Sequence, residues 1–313
     1  MGIVSPSQES YALAAKKLRD GEIVCFSTET VYGVGCDTFS EPAIAKVYKL
    51  KNRPTNNPMI AHILDVSWTN QLCSGWSNKC SLLATCFWPG PLTIILPKKE
   101  SVPESACGGF DTIAMRCPSH PVARALLAEF DKPISAPSAN KSGHISPTTA
   151  RHVEDEFGDS ITIIDGGPCE KGIESTVLSM VNQPTIVRLG SVSVEEIRNT
   201  IGAVEIKTSI TQQNSPGTLM RHYAPNTKTN LLNKEEMDKT SDSDCVAIAI
   251  QGNPVLTKRV FQMPSNAQEY AKVLYSTLRE ADNAGVSQIV IERPCVVPVW
   301  LAVIDRLDRC CSD

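Results

Sequence analysis

Three cations fall within five residues in the stretch KLKNR at 49–53, and two prolines and three asparagines lie among residues 52–58. Pro54 cannot continue a helix, because its ring fixes φ and it has no N–H. It also pushes Arg53 toward extended backbone, where residues two apart face the same way. Lys51 and Arg53 are therefore expected to project together from a rigid loop just past a helix end. A point-charge ammonium beside a forked guanidinium suits a polyphosphate or a carboxylate; the same short pattern also occurs as a solvated basic turn. A second polar loop, at 133–149, carries Ser138, Asn140, Ser142 and Ser146 around Gly143. Its small residues let a nucleotide approach the backbone, and its hydroxyls and amides can donate to phosphate or sugar oxygens. Together the two loops supply what a phosphate site without a P-loop needs.

A third stretch, TETVYGVGCD at 28–37, follows an apolar run and reads as a ligand loop, with Gly33 and Gly35 allowing close backbone approach. It reads equally as a turn whose hydroxyls satisfy their own backbone. It is not GxGxxG, since Thr38 stands where the third glycine would be, and no Walker A pattern occurs. His62 lies in the apolar strand 59–64, where a lone histidine is more often a satisfied core residue; its closeness to the basic loop keeps a ligand role in view. Arg116 and Arg188 stand at the ends of predicted strands 111–116 and 185–188 and read as anion clamps or surface charges.

The elements that position these residues follow from caps and periodicity. Ser7 caps a helix to about residue 20, Ser40 opens a second with Pro42 in its first turn, and Ser119 is expected to cap a third through Phe130. Residues 175–180 and 185–188 read as a hairpin, and SVEE at 193–196 has the capping-box form. Residues 206–230, rich in Thr, Gln, Asn and Pro, read as a linker in which Arg221, His222 and Tyr223 are costly to leave loose. Strands at 245–250 and 288–292 with a helix between them then indicate a small α/β domain with a parallel sheet. The expected division is 1–205, linker 206–230 and 231–313.

The chain has 313 residues, 42% hydrophobic and 20% charged, as a globular protein of about two domains does. A net charge of -4 argues against a general nucleic-acid binder. No apolar stretch is long enough to cross a bilayer, and residues 1–10 lack the form of a signal peptide. The twelve cysteines form no CxxC pair and sit mostly in apolar surroundings. They read as small buried hydrophobes in a reducing compartment, so a cytoplasmic location is expected and a zinc site is not.

The motifs TETVYGVG at 28–35, KNRP at 51–54, WPGPLT at 88–93 and SANKSG at 138–143 together resemble the YrdC/Sua5 family of threonylcarbamoyl-AMP synthases. SPG at 215–217, RHYAP at 221–225 and DRL at 305–307 are similar to the longer, Sua5-type members. The resemblance implies a twisted mixed α/β sheet with a positive concave cavity, followed by a small Rossmann-like α/β domain. It implies formation of L-threonylcarbamoyladenylate and pyrophosphate from L-threonine, bicarbonate and ATP with Mg²⁺, feeding t6A modification of tRNA. The product would pass to a tRNA threonylcarbamoyl transferase complex, with at most a weak tRNA contact and no membrane partner. Carried over by position, Lys51, Arg53, Ser138 and Asn140 would be the catalytic set. Arg53, Asn57, Thr112, Ser138, Asn140, Ser146, Arg188 and Tyr223 would contact ATP. Thr30, Tyr32, His62, Arg116, Ala136 and Ser175 would hold threonine, Arg116 taking its carboxylate. Arg221, His222 and Tyr223 would close over the site as a lid. The alternatives are an RNA-binding module that grips a phosphate backbone and a carbamoyl transferase acting from carbamoyl phosphate.

Overall fold

The structure is a computed structural model that describes residues 2–207 and 222–311. They divide into two compact units: residues 2–142, 147–170 and 174–207 form the first, and residues 143–146, 171–173 and 222–311 the second. Residues 206–221 of the expected linker therefore fall largely outside the described residues, and so do Arg221 and the SPG segment.

The first unit is built on eleven strands: β1 (Ile3–Val4), β2 (Val24–Phe26), β3 (Gly33–Asp37), β4 (Ile60–His62), β5 (Leu92–Pro97), β6 (Thr112–Arg116), β7 (Ile134–Ser135), β8 (Thr162–Ile164), β9 (Thr176–Ser179), β10 (Thr185–Arg188) and β11 (Glu205–Ile206). They form one mixed sheet in the order β1-β8-β2-β3-β7-β4-β6-β5-β9-β10-β11. Its helices are α1 (Gln8–Arg19), α2 (Glu41–Lys51), α3 (Thr69–Leu72), α4 (Asn78–Phe87), α5 (Pro121–Phe130), α6 (Ala150–Phe157) and α7 (Val194–Ile201). The expected cap of α1 is present: Ser7 and Ser10 bond each other's amides reciprocally. The apolar stripe Ala14, Ala15 and Leu18 is fully buried, and α1 packs on α5. The cap of α5 differs from the expectation, since His120 and not Ser119 accepts the Val122 amide.

The stretch 28–37 is loop only as far as Tyr32. From Gly33 it is β3, antiparallel to β2 with Phe26 opposite Gly33. A Cβ on Gly35 would stand 2.5 Å from Ile134 Cγ2 and 2.7 Å from Phe26 Cε1. Gly35 is therefore required by sheet packing, in a stretch that the sequence alone reads equally as a ligand loop or a turn.

The second unit has a wholly parallel sheet in the order β12-β15-β13-β14, from β12 (Lys228–Leu232), β13 (Ser241–Ala249), β14 (Leu256–Gln262) and β15 (Gln288–Glu292). Helices α8 (Lys234–Asp238), α9 (Ala267–Asp282) and α10 (Leu301–Cys310) complete it. Because β12 starts at Lys228, the domain begins ahead of the expected residue 231. The β15 end carries a buried carboxylate, Glu292, which accepts the amides of Ile250, Gln251 and Gly252 at 2.6, 2.9 and 2.8 Å. Three backbone donors left by the end of β13 are thus satisfied internally.

Candidate active site

Strands β4 and β6 run parallel, with Ile60 opposite Ala114 and His62 opposite Arg116. Their two ends collect two different groups of side chains. β7 lies antiparallel to β4, and the Ala136 amide donates to Ile60 O at 2.9 Å, so the chain leaving β7 passes the start of β4. That chain carries Ser138 and Asn140. Arg53 is at the same end. Its Nε donates to Asn57 O at 3.0 Å, and its Nη2 donates to Asn57 Oδ1 at 2.7 Å and to Pro58 O at 2.9 Å, just ahead of β4. Thr112 opens β6 there. Five residues expected to contact ATP, namely Arg53, Asn57, Thr112, Ser138 and Asn140, therefore share one end of the central strands.

Lys51 is the last residue of α2, and Asn52 caps it in the left-handed region at φ 49°. That local turn, made affordable by Asn at a helix C-terminus, aims Lys51 inward where projection from the loop with Arg53 was expected. The residue is 1% exposed. Nζ donates to Ser138 O at 2.6 Å and to Asn140 O. Burial, and after it the Arg53 charge, hold its pKa well below the ordinary lysine range.

The opposite end holds Arg116, the last residue of β6 and 3% exposed. Its Nε donates to Gly90 O at 3.3 Å, its Nη1 to Thr30 Oγ1 at 2.8 Å, and its Nη2 lies 2.6 Å from Glu29 Oε1. That last contact is an ion pair by distance, while neither Glu29 oxygen has a well-angled hydrogen bond. Burial alone would raise the Glu29 pKa; the Arg116 charge beside it outweighs burial and lowers it. Thr28 donates to Val31 O at 2.6 Å and lies 2.9 Å from Thr30 Oγ1. Its proton is committed, so Thr30 donates to Thr28 and accepts from Arg116. His62 sits beside Arg116; burial, then the Arg116 charge, push its pKa down to about 4 and keep it neutral. β5 runs antiparallel to β6 and parallel to β9, which brings Ser175, just ahead of β9, to this end as well. Ser175 Oγ is 2.7 Å from Thr93 Oγ1. Arg188 donates to Ser175 O from Nε at 3.1 Å and from Nη2 at 2.9 Å, so this residue, expected with ATP, stands in the group expected to hold threonine.

Other expected residues are placed differently. Tyr32 is fully buried and its hydroxyl donates to Gly167 O at 2.8 Å, with Asp165 Oδ1 at 3.0 Å. The Ala136 amide is spent on Ile60, leaving its carbonyl as the backbone group to offer. Ser146, His222 and Tyr223 belong to the second unit. There Tyr223 is buried, stacked on Tyr275 at 5.6 Å with His222 edge-on at 4.0 Å. Glu29, Thr28, Thr93 and the Gly90 carbonyl lie in stretches the sequence singles out, TETVYGVG and WPGPLT, but spacing alone gave none of them a role of its own.

The paired central strands of a mixed α/β sheet thus have a buried cation near each end, Lys51 at one and Arg116 at the other. Residues 16–190 match the Sua5/YciO/YrdC family model, described as "Telomere recombination", and residues 192–312 match the Sua5 C-terminal model, "Threonylcarbamoyl-AMP synthase, C-terminal domain". The chain belongs to the two-domain Sua5 branch of this family. It is 36% identical over 95% of its length, and 92% of the relative's, to a threonylcarbamoyl-AMP synthase of Pyrococcus abyssi. It is 33% identical over 99% of its length, and 90% of the relative's, to one of Schizosaccharomyces pombe. The crystal structure of P. abyssi Sua5 complexed with L-threonine superposes with a TM-score of 0.89 at 35% identity, covering 99% of this chain and 97% of that one. Escherichia coli YciO, at 22% identity, a TM-score of 0.54 and coverage of 63% of this chain and 98% of that one, shares the fold. No described helix is long and apolar enough to cross a membrane.

Proposed function

We propose that this protein joins L-threonine, bicarbonate and ATP into L-threonylcarbamoyladenylate and pyrophosphate. The observation that carries the reading is the 36% identity over nearly the whole chain to a relative named for that activity. The two-ended site supports it. Arg116, fixed by Glu29, Thr30 and Gly90 O, is the partner for the threonine carboxylate, and neutral His62 lines the same end. Arg53 and the loop at Ser138 and Asn140 take the nucleotide at the other.

In this reading the threonine amine is carbamoylated first, with loss of water from bicarbonate. A carbamate oxygen then attacks the α-phosphorus and the bond to pyrophosphate breaks. Such chemistry needs positioning and charge neutralisation rather than a protein nucleophile. No group of three or more His, Cys, Asp or Glu side chains among the described residues forms a metal cage. We assign Mg²⁺ to the triphosphate, whose oxygens and water suit it. The product would serve tRNA t6A modification through a separate transferase.

The test is mass spectrometry of the nucleotide product from protein, ATP, Mg²⁺, bicarbonate and L-threonine. A threonylcarbamoyl adduct of AMP that vanishes without bicarbonate is expected. ADP or AMP alone, with no adduct, overturns the reading.

A further inference from the structure

Lys51 is the residue whose chemistry invited a phosphate, and its geometry points elsewhere. The side chain is the most deeply placed cation of the first group, at 1% exposure. Two of its three N–H donors end on carbonyls of one loop, Ser138 O at 2.6 Å and Asn140 O. Its own carbonyl accepts the Ser142 amide at 2.8 Å. Head and backbone of one residue thus grip residues 138–142 from both sides. The same loop is tied to the residue ahead of β3 by the Ala139 amide on Tyr32 O at 2.8 Å, and to the first residue of β3 by a bridge between Ser138 and Gly33. Without the Lys51 side chain the backbone bond from the Ser142 amide still ties the loop to α2, and two carbonyls that now share one ammonium must find other donors. Arg53, two residues on, is half-buried and its guanidinium faces the backbone of residues 57–58.

We infer that Lys51 is a positioning residue: it shapes the 138–142 loop that receives the nucleotide, and the phosphate charge is met by other cations. The inference rests on the ATP-dependent reading above. It divides the KxR motif into a lysine that builds the loop and an arginine beside it. It also separates two effects that a loss of activity alone would confuse. A phosphate ligand matters to ATP more than to AMP, because ATP carries the longer chain of charges. A loop-shaping residue matters to both alike.

The experiment is isothermal calorimetry of ATP and of AMP with full-length protein and the Lys51→Met variant, together with hydrogen exchange of residues 138–142. Weakening of both nucleotides by about tenfold or more is expected, with the ATP-to-AMP affinity ratio kept within about twofold of wild type. Faster exchange of the amides across residues 138–142 in the variant is expected alongside, as the loop loses its hold at Ser138 O and Asn140 O. Selective loss of ATP affinity with AMP binding and exchange unchanged overturns the inference and makes Lys51 a phosphate ligand. Lys51→Gln, which keeps one amide donor for the loop carbonyls, guards against misfolding of the methionine variant. It is expected to give a smaller loss of the same pattern, and a selective loss of ATP overturns the inference here too. Failure of the wild-type protein to bind ATP would instead remove the functional reading on which the inference stands.

Discussion

Arg116 and Glu29 are each expensive alone and stable together. Both are almost wholly buried, 2.6 Å apart, and removing one partner of such a pair leaves an uncompensated charge. Arg116→Met is therefore expected to cost about 3–5 kcal/mol of stability, and the double variant Glu29→Leu with Arg116→Met much less. Urea denaturation measures the recovery, and calorimetry with L-threonine measures what does not recover. Wild-type affinity in the refolded double variant would show that Arg116 is not the carboxylate partner. His62 gives a second residue-scale prediction. Its pKa is about 4 in the folded protein and about 6.5 in an unfolded chain. Between those values the unfolded chain binds the extra proton, so stability rises with pH across this window. The contribution, about 3 kcal/mol, is complete above roughly pH 6.5 and lost as pH falls toward 4. The lowered Glu29 pKa acts in the same direction, but only below the free-carboxyl value of about 4.3. His62→Asn should flatten the urea midpoint between about pH 4.5 and 6.5. An unchanged slope would mean that His62 titrates normally.

Elements were legible where local signals and tertiary demands agreed. The serine caps of α1 and α2, the β9–β10 hairpin and the capping box of α7 all stand as the spacing implies. β3 was not legible, because GVGCD carries glycines that suggest a ligand loop until the neighbouring strands are known. Gly35 faces Phe26 from β2 and Ile134 from β7, far away in sequence. Gly35→Ala must push one of them, at a cost of about 1–3 kcal/mol. A urea midpoint equal to wild type would return these glycines to a ligand role. β14 was missed for a different reason: LTKRVFQ lies at the sheet edge with most residues exposed, so burial imposes no alternation on it. At the site, the lysine, arginine, serine and asparagine of the two loops were readable from spacing. Glu29 was not, since its meaning depends on Arg116, a distant strand end.

At the scale of the molecule, the C-terminal unit is more than an appendage in sequence, because it claims two short segments from within the first domain. In the second unit the Ala224 amide donates to Gly143 O at 3.1 Å and the Arg279 guanidinium bonds Ile145 O. Gly172, at φ +72°, leaves no room for a side chain: a Cβ would stand 2.5 Å from Lys272 Cα. These segments adjoin Ser142 on one side and Ser175 on the other, so they border both groups of site residues in sequence. Truncation after Gly202 removes the partners of both segments but keeps strands β1 to β10. The fragment is expected to keep the far-ultraviolet dichroism of its sheet and helices. Its adenylate formation should fall roughly tenfold or more, because loosened borders misplace the groups between them. Gly172→Ala in the full chain tests the same idea without a deletion, and a smaller loss in the same direction is expected. Full activity in both proteins would show that the first unit orders its own site and that the claimed segments serve the second unit alone.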